Sequence, residues 1–243
     1  MPNRIPFSAH VALGARQRLI VALDVSSAAQ ARDIVRALDE SVLTYKVGMQ
    51  LYTAEGPRVV RDLVAAGKQV FLDLKYHDIP NTVAAAVREA SQLGVSILTV
   101  HAAGGGKMLR AAVDAASANP DLMVLAVTVL TSMDEDDLTK IGVRGKVVDS
   151  VLRLGAIAIA DGCHGLVASA HEASTLRTEL GDTFAIVTPG VRPAGTVAGD
   201  QARVTTPAAA IASGATYIVV GRPITGAADP VAAAKAILKE IGG

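Results

Sequence analysis

Residues 70–82 read Val-Phe-Leu-Asp-Leu-Lys-Tyr-His-Asp-Ile-Pro-Asn-Thr, so an apolar run carries Asp73 and Lys75, with Asp78 just past its end. On a strand, side chains two apart share a face, and Asp73 and Lys75 project together while Leu74 points away. A carboxylate and an ammonium then occupy one surface, either as a structural ion pair or for chemistry that uses buried charge. Ions are costly to bury in a core strand and such burial usually marks a task, which favours the second account. Pro80 biases Ile79 toward an extended conformation, which puts Asp78 on a rigid loop at the strand's end. Asn81 and Thr82 are suited to cap the helix that follows.

The elements that must hold these residues follow a rhythm. Leu19 to Asp24 reads as a strand, with Ser26 and Ser27 as cap candidates before an amphipathic segment containing Ala31, Ile34, Val35 and Leu38. Leu43 to Gly48 is the second strand, and Pro57 opens a helix through Val60, Leu63 and Val64 that stops at Gly67. After the third unit, strands are expected at Ser96 to His101, Leu122 to Thr128, Gly165 to Ser169, Phe184 to Thr188 and Thr216 to Gly221. The first four strands start 24 to 27 residues apart, room for a strand, two short loops and a crossover helix. Eight such units argue for a closed (β/α)8 barrel over an open doubly wound sheet, and the 243 residues are close to the roughly 250 of that fold. No linker divides the chain, so residues 1–243 read as one domain. Residues 1–17 read as an arm or a short lid over the barrel's bottom, and residues 189–207, polar and glycine-rich, read as a lid loop.

Composition narrows the functional classes. Lys plus Arg and Asp plus Glu number 23 each, so no basic field for nucleic acid or an anionic membrane is indicated, and a small ligand is expected. Although 51% of residues are hydrophobic, no apolar run reaches the roughly 18 residues of a membrane span. The single Cys163 excludes an intramolecular disulfide framework and fits a reducing cytoplasm, and the N-terminus lacks the apolar core of a secretion signal.

In a (β/α)8 barrel the site lies at the C-terminal strand ends. Asp24, Lys46, Asp73 with Lys75, and then Thr131 and Ser132 should therefore open into one mouth. Arg192 follows strand seven, Gln201 lies in the lid, and Gly221-Arg222 ends strand eight, where such barrels often bind phosphate. Gly221 permits close backbone approach, and Arg222 supplies a bidentate fork. Other signals carry less. Gly104-Gly105-Gly106-Lys107 lacks the spacing of a Walker loop and reads as a tight turn. Cys163-His164 has no second pair at metal-ligand spacing, so no metal site is expected. His101 reads as a hydrogen-bonded structural residue.

With these residues in place, the chain resembles the orotidine 5'-phosphate decarboxylases over nearly its whole length. The resemblance rests on Asp73, Lys75 and Asp78, extended by Ile79-Pro80-Asn81-Thr82. It also rests on Val-Leu-Thr-Ser-Met (129–133), Thr-Pro-Gly-Val-Arg-Pro (188–193), Gly-Asp-Gln (199–201) and Val-Gly-Arg-Pro-Ile (220–224). It implies decarboxylation of orotidine 5'-monophosphate to UMP, the last step of de novo pyrimidine synthesis, without metal or organic cofactor. Lys75 would stabilise and protonate a C6 carbanion between Asp73 and Asp78, and Lys46 would complete an alternating row of charges. Lys46 and Asp24 would also bind the ribose, Thr131 or Ser132 would meet the pyrimidine edge, and Arg192, Gln201, Gly221 and Arg222 would surround the phosphate. The resemblance further implies a cytoplasmic homodimer in which Asp78 and Thr82 enter the neighbour's site. Related barrels with a similar Asp-x-Lys-x-x-Asp core, the 3-keto-gulonate phosphate decarboxylases and hexulose phosphate synthases, use Mg2+ and need further acidic ligands that these strand ends do not offer.

Overall fold

Strands that are apolar on both faces need cover on both, which a barrel surrounded by helices provides. In the computed structural model, which describes residues 13–193 and 205–242, eight parallel strands close in sequence order. They are β1 (Leu19–Ala22), β2 (Thr44–Gly48), β3 (Gln69–Tyr76), β4 (Ile97–His101), β5 (Met123–Val127), β6 (Gly165–Val167), β7 (Ala185–Thr188) and β8 (Tyr217–Val220). The β1–β8 ladder closes the ring, with Leu19 opposite Ile218 and Val21 opposite Val220.

Alternation along the strands produces two apolar layers. Ile20, Phe71, Ile97, Leu125, Val187 and Val219 fill the barrel interior. Leu19, Val21, Val70, Leu72, Leu98 and Ile218 face outward and pack with helix residues such as Val35, Leu63, Val87, Leu109 and Ile237. Each such side chain contributes about 1.5–3 kcal/mol when fully buried, and this shell lets the barrel carry charged groups at its mouth. The β7–β8 seam is clasped by Arg177, which donates to the carbonyls of Phe184 (2.7 Å) and Gly214 (3.1 Å) and to Thr216 Oγ1 (3.0 Å). Burial pushes this guanidinium down to about 10. Among the described residues, no helix is long and apolar enough to cross a membrane.

Several local expectations need correction. Asn81 and Thr82 do not cap the helix Pro80–Gln92. Its N-cap is Ile79, and Pro80, with no N–H to satisfy and φ already helical, occupies the first turn. An additional helix, Met49–Glu55, precedes the one that Pro57 leads, and Gly56 at φ 65° separates them. The glycine turn at 104–107 is shorter than expected, because a 3-10 turn over Ala102–Gly104 leads directly into the helix Gly105–Ala116. Asp134 caps a helix over Glu135–Lys140 by accepting from Asp137 N at 2.9 Å. Strand one stops at Ala22, which leaves Asp24 beyond the ladder. Residues 1–12 of the expected arm and 194–204 of the expected lid lie outside the described residues. The described ends of that loop are tied together, with Arg192 N donating to Thr205 O at 2.9 Å beside a Val191–Thr205 bridge.

Candidate active site

Four charged side chains, from β2, β3 and the segment just after β1, form an alternating chain at the C-terminal mouth. Lys46 Nζ lies 2.8 Å from Asp24 Oδ1 and 3.8 Å from Asp73 Oδ2, and Lys75 Nζ lies 2.8 Å from Asp73 Oδ1. The side chains of Lys46 and Asp73 are only 12% and 13% exposed, against 53% for Asp24, so the middle of the row is the desolvated part. Ions in such a setting interact more strongly than in water and are costly to leave unpaired, which holds the row together as a unit.

The inner end of the row depends on an irregularity in β3. Its ladder with β4 pairs Leu72 with Leu98 and then resumes at Tyr76 with Val100, a register shift that spans Asp73 to Lys75. Lys75 has φ 53°, a left-handed conformation that costs an L-residue about 1–3 kcal/mol and that gathers at functional sites. Thr99 on β4, fully buried, meets both residues. Its Oγ1 accepts from Lys75 N at 3.0 Å and donates to Asp73 Oδ1 at 3.0 Å.

The row borders a pocket of about 490 Å3, within the usual range for small-molecule sites. Around its rim, Arg192 follows β7, Gly221 and Arg222 follow β8, Asp24 follows β1, Lys46 lies on β2, and Asp73 with Lys75 lies on β3. Thr131 completes the polar lining beyond β5, while Phe71, Val127, Val167, Val187 and Val219 form an apolar floor. Arg192 and Arg222 bring two guanidinium groups to the β7–β8 side of the pocket. A Cβ built on Gly221 would meet nothing closer than Ala22 Cβ at 3.5 Å.

Asp24, Lys46, Asp73, Lys75, Thr131, Arg192, Gly221 and Arg222 are thus brought to one pocket. Ser132 is exposed and is not among the residues that line it, and Gln201 lies outside the described residues. Asp78 and Thr82 are also exposed and outside this pocket. Asp78 Oδ1 accepts from Ile79 N at 2.6 Å, so within one chain the row ends on Asp24 in place of Asp78. His101 departs from expectation too. Its Nδ1 is buried with no hydrogen-bond partner among the described residues, and its ring lies 5.4 Å from that of His77. Burial first, then the charges of His77 and Lys75, hold His101 below its ordinary value and so disfavour its charged form.

Three residues at the site escaped the reading of the sequence. Thr99 is one; its only signal was a polar residue between Leu98 and Val100, on the same parity as inward-facing Ile97. Gln50 is another, lining the pocket from the unforeseen helix and donating to Ser26 Oγ at 3.0 Å. Gly48 is the third. A Cβ there would lie 2.9 Å from Lys46 Nζ and 3.1 Å from Asp24 Oδ1. Among the described residues, no three His, Cys, Asp or Glu side chains converge as a metal site.

Comparison with known proteins bears on this arrangement. The family model described as Orotidine 5'-phosphate decarboxylase / HUMPS family matches residues 17–237. Orotidine 5'-phosphate decarboxylase of Afipia carboxidovorans is 54% identical over 226 residues, covering 93% of this chain and 95% of that protein. That of Halorhodospira halophila is 52% identical over 225 residues, covering 92% and 95%. The crystal structure of orotidine 5'-phosphate decarboxylase from Lactobacillus acidophilus superposes with a TM-score of 0.84 at 40% identity, covering 93% of this chain and 99% of that one. The chain belongs to the orotidine 5'-phosphate decarboxylase / HUMPS family.

Proposed function

We propose that this protein converts orotidine 5'-monophosphate to UMP and carbon dioxide, the closing step of de novo pyrimidine synthesis, using its own side chains and no cofactor. The observation that carries the reading is the order of groups around the rim. Two arginines lie at β7 and β8, a carboxylate–ammonium pair at β1 and β2, and the half-buried Asp73–Lys75 pair at β3. A nucleotide laid along that arc puts its phosphate at Arg192, Gly221 and Arg222, its ribose hydroxyls at Asp24 and Lys46, and its base over Lys75. Thr131 then meets the pyrimidine edge. The names of the relatives at about half identity agree with this substrate.

Breaking the bond between C6 and the carboxylate leaves an electron pair in the ring plane, where the π system cannot delocalise it. Lys75 stabilises that charge and gives its proton to C6, after which solvent restores the ammonium. Preorganised charge in a dry pocket is the main means open to an enzyme without a cofactor. The phosphate does not react, so its binding energy is available to hold the reacting ring against the ordered row, with Gln201 also assigned to the phosphate. Asp24 and Lys46 need their close contact to meet the ribose together. Gly48→Ala, whose new Cβ crowds both, is expected to raise KM for orotidine 5'-monophosphate about 10-fold with little change in thermal stability, measured by steady-state kinetics and melting.

Asp78 and Thr82, exposed beside the mouth, act in this reading on the site of a second subunit. Mixing inactive Asp78→Ala and Lys75→Ala subunits is then expected to restore up to about a quarter of wild-type activity, through hybrid dimers with one intact site. Absence of recovery after demonstrated subunit exchange would count against shared sites. The reaction itself is tested by following the absorbance of orotidine 5'-monophosphate with EDTA-treated protein. Rapid decay to UMP is the expected result. No decay, with Mg2+-dependent turnover of a sugar phosphate in its place, would move the protein to the other branch of its family.

A further inference from the structure

We propose that Thr99 is a positioning residue for Lys75, acting through its hydroxyl; the inference rests on the decarboxylase reading above. The directions of its two hydrogen bonds follow from chemistry. A backbone N–H can only donate and an ionised carboxylate can only accept, so the single hydroxyl of Thr99 must receive from Lys75 N and give its proton to Asp73 Oδ1. It thereby ties the backbone of the ammonium residue to the side chain of that residue's own partner.

The irregularity in β3 explains why a side chain is needed there. In a regular parallel ladder, backbone carbonyls of β4 would accept from β3, but pairing lapses between Leu72 and Tyr76. Lys75 N finds its acceptor in the hydroxyl of Thr99, a residue 0% exposed. The left-handed backbone at Lys75, φ 53°, aims Nζ at Asp73 Oδ1 over 2.8 Å. Without the hydroxyl, Lys75 N would lose this acceptor and one of the two donors on Asp73 Oδ1 would be gone. The strand would then relax toward regular pairing and carry the ammonium away from its aim. Thr99 itself does not line the pocket, so it has no part in holding ligand.

Thr99→Val keeps the shape and removes the hydroxyl, and Thr99→Ser keeps the hydroxyl and removes a methyl. Steady-state kinetics on orotidine 5'-monophosphate and UMP titration should show kcat of Thr99→Val reduced about 10- to 100-fold, with UMP affinity changed less than about 3-fold. Thr99→Ser should recover most of kcat, a split that a merely structural residue would not produce. Should Thr99→Val fail to fold, Thr99→Ala against Thr99→Ser makes the same comparison. Unfolding of both hydroxyl-free variants would assign the hydroxyl to folding and overturn the proposal. So would a Thr99→Val kcat equal to wild type, or a Thr99→Ser loss equal to that of Thr99→Val. Wild-type protein inert toward orotidine 5'-monophosphate would overturn the decarboxylase reading, and this inference with it; an active wild type with any of the preceding results overturns the inference alone.

Discussion

Lys75→Ala is expected to lower the decarboxylation rate by about 10⁴-fold or more while UMP still binds measurably. Two effects compound: loss of a proton donor typically costs about 10²–10⁴-fold, and loss of a preorganised group at a developing charge costs about 10²–10³-fold. On the proposed placement of the nucleotide, binding survives because the residues assigned to its phosphate and ribose, Arg192, Arg222, Asp24 and Lys46, stand elsewhere on the rim. Single-turnover assays with UMP titration separate the two quantities. Turnover within about 10-fold of wild type would remove Lys75 from the chemistry, since neither effect is that small.

Asp73→Asn is expected to have the next largest effect, a fall in kcat of about 10²–10³-fold. Asp73 is the hinge of the row: Oδ1 receives Lys75 and Thr99, and Oδ2 faces Lys46. An amide offers one acceptor oxygen and no charge, so two ammonium groups are left without the carboxylate between them, and Lys75 is displaced. Because the carboxylate is neutralised on both sides, its main service is to hold Lys75, and KM is expected to stay the same or rise. If KM fell along with kcat, the negative charge would instead be acting by repelling the substrate carboxylate, relief of which drives the reaction. Comparing kcat and KM for Asp73→Asn and Asp73→Ala distinguishes the two.

These two experiments turn on residues that the sequence made visible. Asp73 and Lys75 stand two apart in an apolar run, and side-chain parity along a strand depends only on consecutive residues. For the same reason the eight strand–helix units could be read from their apolar rhythm, and closure into a barrel followed from their number. Asp24, Lys46, Arg192 and Arg222 could be assigned to the mouth because position at a strand's C-terminal end is also a local property.

What the sequence left open lies between strands. Asp24 meets Lys46 across 22 residues of chain, Lys75 N meets Thr99 across 24, and Thr99 meets Asp73 across 26. Such contacts depend on register, which is settled by packing of the whole ring, and on the slip in β3 that lifts Lys75 into a left-handed conformation. The helix Met49–Glu55 that presents Gln50 was hidden for a related reason, since Gly56 and Pro57 break its pattern before an apolar period can be seen. By itself the sequence determined which charges this protein has at the mouth of which fold. Only the tertiary structure decided that the row within one chain begins at Asp24, and that a buried hydroxyl on β4 holds its far end, because hydrogen-bond partners across a barrel are chosen by closure and not by spacing along the chain.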